Sequence, residues 1–184
     1  FDDRFFQVQS KKISQISANI SYQVTFIGTF EKYRYDTLIF LAKNNIKVDV
    51  FGAGWPQENG NNLTMHPPVF GDTYQSIIQS SAINLIFLRK ANYDTVTSRS
   101  YEIPFFHAFF LAEYSSDHLD LYKNRDILFN TPEDLLNKIN MWLKKPSYLL
   151  DEVSKNTAKT IIMLDRSILS ETIRILKKIS ETPR

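Results

Sequence analysis

The run Val96-Thr97-Ser98-Arg99-Ser100-Tyr101-Glu102-Ile103-Pro104 sets a hydroxyl pair, a cation and a carboxylate just downstream of an apolar stretch, Ile83 to Leu88. If that stretch is a strand and Thr97-Ser98 caps a helix, free backbone N–H groups and the helix dipole converge there and favour an anion. Arg99 adds a permanently charged, fork-shaped donor that suits phosphate. Glu102 follows three residues later, about one turn along the same face. A carboxylate repels phosphate but accepts hydrogen bonds from hydroxyls such as those of a ribose. Phosphate plus hydroxyls points to a nucleotide or a nucleotide-sugar. A plainer role for Glu102 is an ion pair with Arg99, and the two roles are compatible.

Other residues join this group only if the chain brings them close. Gly28-Thr29 follows the apolar run Tyr22 to Ile27, where a glycine lets a ligand approach the backbone or simply makes a tight turn. Gly52-Ala53-Gly54-Trp55-Pro56 resembles a glycine-rich phosphate loop, but Trp-Pro follows where a helix is needed. Gly54 either borders a ligand, or the loop lets Trp55 close over its own core. Arg89-Lys90 and Arg99 bracket a polar loop with Asn92 and Thr97, and cations flanking such a loop suit phosphate. Glu113 ends another apolar run and either binds sugar hydroxyls or caps the next helix.

These residues need a scaffold that brings loop ends together. Short apolar runs at Tyr22–Gly28, Lys47–Gly52, Leu63–His66, Ile83–Leu88, Ala108–Ala112 and Asp126–Phe129 are expected strands. Helical spacing falls between them: Tyr35, Leu38, Ile39 and Ala42, closed by Asn44-Asn45; Tyr74, Ile77, Ile78 and Ser81 behind an Asp72 cap; and a short helix from Ser98 to about His107, kinked at Pro104. Thr131-Pro132-Glu133-Asp134 is a strong helix start, with Leu135, Ile139 and Trp142 turned inward. Alternation of this kind predicts an α/β fold, a Rossmann-like parallel sheet flanked by helices. Ligands of such sheets sit outside the carboxyl ends of the strands, so the loops after Ile27, Phe51, His66, Leu88 and Ala112 should share one crevice.

The expected organisation is a lead-in at 1–20, a Rossmann-like domain at 21–146 and C-terminal helices at 147–184. The latter fall at about 147–162 and 166–180, with Leu169, Ile173, Leu176 and Ile179 on one face. The chain begins with Phe1 and is expected to be part of a longer protein. Among 184 residues 43% are hydrophobic and 14% aromatic, enough for a real core, and the net charge of +2 argues against a broad nucleic-acid-binding surface. There is no cysteine. His66, His107 and His118 lack metal-ligand spacing, so no metal site is expected. No P-loop, dinucleotide fingerprint, nucleophile elbow or pair of carboxylates for glycoside hydrolysis is present. No apolar run approaches the roughly 20 residues that span a bilayer.

Taken in order, Phe26-Ile27-Gly28-Thr29, Val48 to Trp55, Ala82-Ile83-Asn84-Leu85, Thr97 to Pro104 and Leu111-Ala112-Glu113-Tyr114 resemble the C-terminal domain of group 1-like glycosyltransferases. The branch most similar is that of the spore-maturation CgeB-like proteins. The resemblance covers about 22 to 150, and its most specific piece is T-S-R-x-[FY]-E-I-P. It implies a GT-B arrangement, in which this half holds a nucleoside-diphosphate sugar without a metal or other cofactor. The sugar would pass to a hydroxyl acceptor bound by an N-terminal domain this chain lacks. It implies Glu102 at the donor ribose, Arg99 and Arg89 at the diphosphate, and Gly28 in the first loop. Thr29, Gly54, Asn92, Thr97, Ser98 and Glu113 complete the candidate pocket. A cytoplasmic location follows from the same resemblance, with peripheral membrane association left open. The family usually has small residues after the proline, where this chain has Phe105-Phe106-His107-Ala108. A non-catalytic interaction module, and a sugar-nucleotide epimerase or hydrolase on the same fold, are the alternatives.

Overall fold

A computed structural model describes residues 20–56 and 60–144, together with Glu152 and Asn156. The lead-in and the expected C-terminal helices lie outside the described residues, apart from those last two positions. The apolar runs form six strands: β1 (Tyr22–Ile27), β2 (Val48–Phe51), β3 (Leu63–His66), β4 (Ser81–Ile86), β5 (Phe110–Glu113) and β6 (Leu128–Phe129). Helices α1 (Lys32–Lys43), α2 (Gly71–Gln79), α3 (Arg99–Phe105) and α4 (Ser116–Tyr122) lie between strands, and α5 (Pro132–Leu143) follows β6.

The strands make one sheet in the order β3-β2-β1-β4-β5-β6, and every neighbouring pair is parallel. All six carboxyl ends therefore lie on one edge, as the alternation predicts. The direction of winding reverses between β1 and β4, and such a reversal opens a crevice at that edge.

A parallel sheet is stable only when both faces are covered. Phe26 turns to one face, where the Arg34 guanidinium of α1 lies 5.6 Å from its ring centre. On the same side Trp142 of α5 meets Phe109 at 4.9 Å, and α1 packs on α5. Thr25 turns to the other face with its register partner Asn84, whose side-chain amide donates to the Ile78 carbonyl of α2 at 3.1 Å. The strand interiors are nearly all buried; Val24, Val50, Ile83, Ile86 and Leu111 are each 0% exposed.

Several boundaries differ from expectation for local reasons. Helix α2 starts at Gly71, whose φ of +54° makes the turn into the helix. Its N-cap is Phe70, and Asp72 falls in the first turn, where it still complements the dipole. Ser98 precedes α3 in helical geometry, and its side chain caps nothing. Pro104 ends α3 at Phe105, and His107 leaves it with φ +58°. Helix α4 is the helix that follows Glu113, and its cap is not Glu113 but Ser115, which accepts from the His118 N–H. Strand β6 shrinks to two residues because Arg125 to Leu128 form a turn, with Leu128 N–H donating to the Arg125 carbonyl at 3.1 Å. The Thr131 cap of α5 forms as expected, accepting from Asp134 N–H at 3.2 Å.

Candidate functional site

Two clusters occupy the carboxyl edge. The first straddles the β1/β4 reversal and is organised by Tyr33 and Arg34 in the first turn of α1, residues the sequence reading passed over. Arg34 is only 5% exposed. Its guanidinium donates to the Thr29 carbonyl at 3.2 Å and to the Leu88 carbonyl at 2.9 Å, and it pairs with Glu31 at 3.3 Å. The Tyr33 hydroxyl also donates to the Leu88 carbonyl, and at 3.1 Å to Glu113. Glu113 accepts the Leu88 N–H at 2.9 Å and pairs with Lys90 at 3.3 Å. Lys90 lies 4.3 Å from the Tyr33 ring centre. Burial first, and the Glu113 charge after it, raise the Tyr33 phenol above its ordinary range, so it remains a neutral donor.

The loops after β1 and β4 are thereby held by one buried cation. Leu88 has both backbone polar groups committed at the point where the chain leaves the sheet. Arg89 is half exposed and reaches Glu31 at 3.8 Å, so one carboxylate faces two arginines. Asn92 is exposed on a 3-10 turn at Lys90–Asn92 that ends in Tyr93, itself left-handed at φ +55°.

The glycines of this edge serve chain-to-chain approach. A Cβ on Gly52 would sit 1.9 Å from the Gly28 carbonyl oxygen. Gly28 N–H donates to Phe51 at 2.9 Å, and the Trp55 indole donates to the Gly28 carbonyl at 2.8 Å. Trp55 is 7% exposed and packs on Phe26 and Phe30. Of the two roles open to this loop, closure of Trp55 over its own core is the one the geometry displays. Gly54 lies beside Phe30 with φ +82°.

The second cluster lies where α2 and α3 begin. Glu102, half-buried in the first turn of α3, accepts the Tyr74 hydroxyl on Oε2 at 2.6 Å. The plainer role open to Glu102, an ion pair with Arg99, does not form; its bonded oxygen takes the Tyr74 hydroxyl instead. The Arg99 Nε is buried and has no hydrogen-bond partner among the described residues. Burial and then the Glu102 hydrogen bond raise the Tyr74 phenol, while the Arg99 charge works in the opposite direction. Arg99, Tyr74 and Glu102 are thus within electrostatic reach of one another.

The loop carrying Thr97 and Ser98 is anchored from below. Ser100 and His118 are both 0% exposed and meet at 2.8 Å. His118 Nδ1 faces the Glu113 carbonyl at 2.7 Å and must carry the proton, which leaves Nε2 to accept from the Ser100 hydroxyl. Ser100 Oγ in turn accepts the Thr97 N–H at 3.1 Å, and Ser115 Oγ donates to the Thr95 carbonyl at 2.6 Å. Ser98 is exposed beside them. Among the described residues no group of three or more His, Asp or Glu is arranged to hold a metal. No helix of the described residues is long and apolar enough to cross a membrane.

Against known proteins, residues 34–160 match the model of a family described as glycosyl transferase-like. No curated protein sequence matches. Sucrose-phosphate synthase from Thermosynechococcus elongatus aligns over 90% of this chain and 47% of its own, at 11% identity and a TM-score of 0.67. The trehalose-6-phosphate synthase OtsA aligns over 95% and 46%, at 8% identity and a TM-score of 0.62. T4 phage β-glucosyltransferase aligns over 80% and 50%, at 15% identity and a TM-score of 0.57; one of its structures is a complex with UDP-glucose. At these identities the likeness concerns the fold, and it is that of GT-B glycosyltransferases. The chain spans about half the length of the structures it matches.

Proposed function

Because this chain belongs to the glycosyl transferase-like family, we propose that it is the donor-binding half of a GT-B glycosyltransferase. It would hold a nucleoside-diphosphate sugar for transfer to a hydroxyl acceptor. The observation that carries this reading is the second cluster: a cation with a buried, unpartnered Nε one turn from a carboxylate. A buried donor without a partner is costly, and an anion entering the crevice removes that cost.

In this reading Arg99 meets the diphosphate and Glu102 accepts from the ribose. Arg89, half exposed at the mouth of the β4 loop, supplies a second cation. Thr97, Ser98, Asn92, Gly28 and Thr29 would line the approach, and Glu113 would act on it through Leu88. As the glycosidic bond breaks, charge grows on the leaving diphosphate, and fixed cations favour that state over the ground state. The donor would be held without a metal or other cofactor, which EDTA added to a binding titration tests directly. Acceptor binding and any general base would come from an N-terminal domain outside this chain. Membership of the CgeB-like branch and a cytoplasmic site of action belong to the same proposal.

Isothermal calorimetry of the 184-residue chain with UDP, GDP, ADP and CDP provides the test. At least one should bind below millimolar, and Glu102→Ala should weaken it about tenfold or more. Failure of all four to bind, or an indifferent Glu102→Ala, overturns the site.

A further inference from the structure

The Tyr74 hydroxyl donates to Oε2 of Glu102 at 2.6 Å, from a different helix and 28 positions away. The tyrosine ring is itself held, because Phe106 meets it edge-on at 6.1 Å. The Phe106 carbonyl accepts from the Gln79 side-chain amide at 3.1 Å, which fastens the end of α3 to α2. Of the bulky pair after Pro104, Phe105 is 51% exposed, while Phe106 is partly buried against the core and supports Tyr74; Ile103 and Pro104 are the buried residues of this turn.

We propose that Tyr74, buttressed by Phe106, is the positioning residue that fixes Glu102 for reading the ribose hydroxyls of the donor. The proposal rests on the donor-site reading above. A glutamate on a half-buried helix face has several side-chain rotamers, and a ligand that needs one of them must bear the cost of selecting it. Tyr74 makes that selection before the ligand arrives. It occupies Oε2 and leaves Oε1 free to accept from a ribose hydroxyl. The raised phenol keeps its proton at any physiological pH, so it donates to the carboxylate without competing for the incoming hydroxyl hydrogens.

The test compares each of UDP, GDP, ADP and CDP with its 2′,3′-dideoxy counterpart, by calorimetry on the wild-type chain and on Tyr74→Phe. The phenylalanine keeps the ring against Phe106 and removes only the donor. The wild-type chain should prefer the ribonucleotide by about tenfold or more. In Tyr74→Phe that preference should fall to about two- to threefold, through weaker ribonucleotide binding, while the dideoxy affinity stays put. An undiminished preference in the variant overturns the role of Tyr74 and leaves Glu102 standing. Equal weakening of both ligands makes Tyr74 a structural residue and also overturns the proposal. If the wild-type chain shows no preference, or binds none of the four, the ribose role of Glu102 fails and this proposal fails with it.

Discussion

Arg34 is the residue on which the carboxyl edge depends most. Its guanidinium is buried, and its partners are two carbonyls from different loops and one carboxylate. Removing a buried cation strands those partners, which costs more than the contact itself is worth. Arg34→Met should destabilise the chain by about 3–5 kcal/mol in urea unfolding. Gly52 is the second single-residue dependency. A methyl there would have to push aside the backbone of Gly28, which a flexible side chain would have avoided. Gly52→Ala should therefore cost about 3 kcal/mol or leave the chain unfolded, measured by the same denaturation. Gly28-Thr29 is visible in sequence as a turn, but that its carbonyls take Arg34 and Trp55 is not. The available signal was a cation on an apolar stripe: Arg34, Leu38 and Leu41 share the buried face of α1.

At the scale of elements, the β4–α3 loop is fastened to α4 through Ser100 and His118. Burial lowers the His118 pKa from its ordinary 6.5, and the nearby Glu113 carbonyl and the Glu113 and Asp117 charges offset only part of that. The native histidine is thus neutral where the unfolded one begins to take a proton. Below about pH 6.5 the unfolded state binds more protons, so stability falls with pH until the depressed native value is reached. Above 6.5 the contribution is full. Unfolding free energies between pH 7.5 and 5 should therefore decline for the wild type, with His118 adding at most about 1.4 kcal/mol per pH unit. His118→Phe should start lower and decline less steeply. The strands, their parallel alternation and the α5 cap were legible in the sequence, because short apolar runs, Thr-Pro starts and Asn C-caps act locally. Helix α4 was legible only as an unbounded helix after Glu113, since its seven residues are too few to display a period. Arg99 and Glu102 were legible as a pair of types, yet their partners were not. Tyr74 and Ser100–His118 are contacts between distant segments, which spacing along one helix does not report.

At the scale of the molecule, six parallel strands deliver every loop of the candidate site to one edge. A scaffold of this kind binds as a unit, so occupancy of the crevice should register in global stability. A ligand at one hundred times its dissociation constant adds about 2.7 kcal/mol to a protein that binds it only when folded. For a chain of this length that corresponds to a rise in melting temperature of roughly 5–10 °C. The preferred nucleoside diphosphate should produce it in a thermal-shift measurement, and the matching nucleoside, lacking the diphosphate, should not. Arg99→Gln should abolish the shift while leaving the melting temperature of the free chain near that of the wild type. The native Arg99 Nε has no partner to lose, so its removal costs the empty fold little. A large drop in the free chain's melting temperature would instead make Arg99 a structural cation and remove it from the site. The 184-residue chain, spanning about half the length of the structures it matches, should show this binding without sugar transfer when incubated with a nucleotide-sugar and assayed for released nucleoside diphosphate. Turnover by this chain alone would mean that the carboxyl edge carries its own acceptor chemistry, and the division of labour between two halves would have to be abandoned.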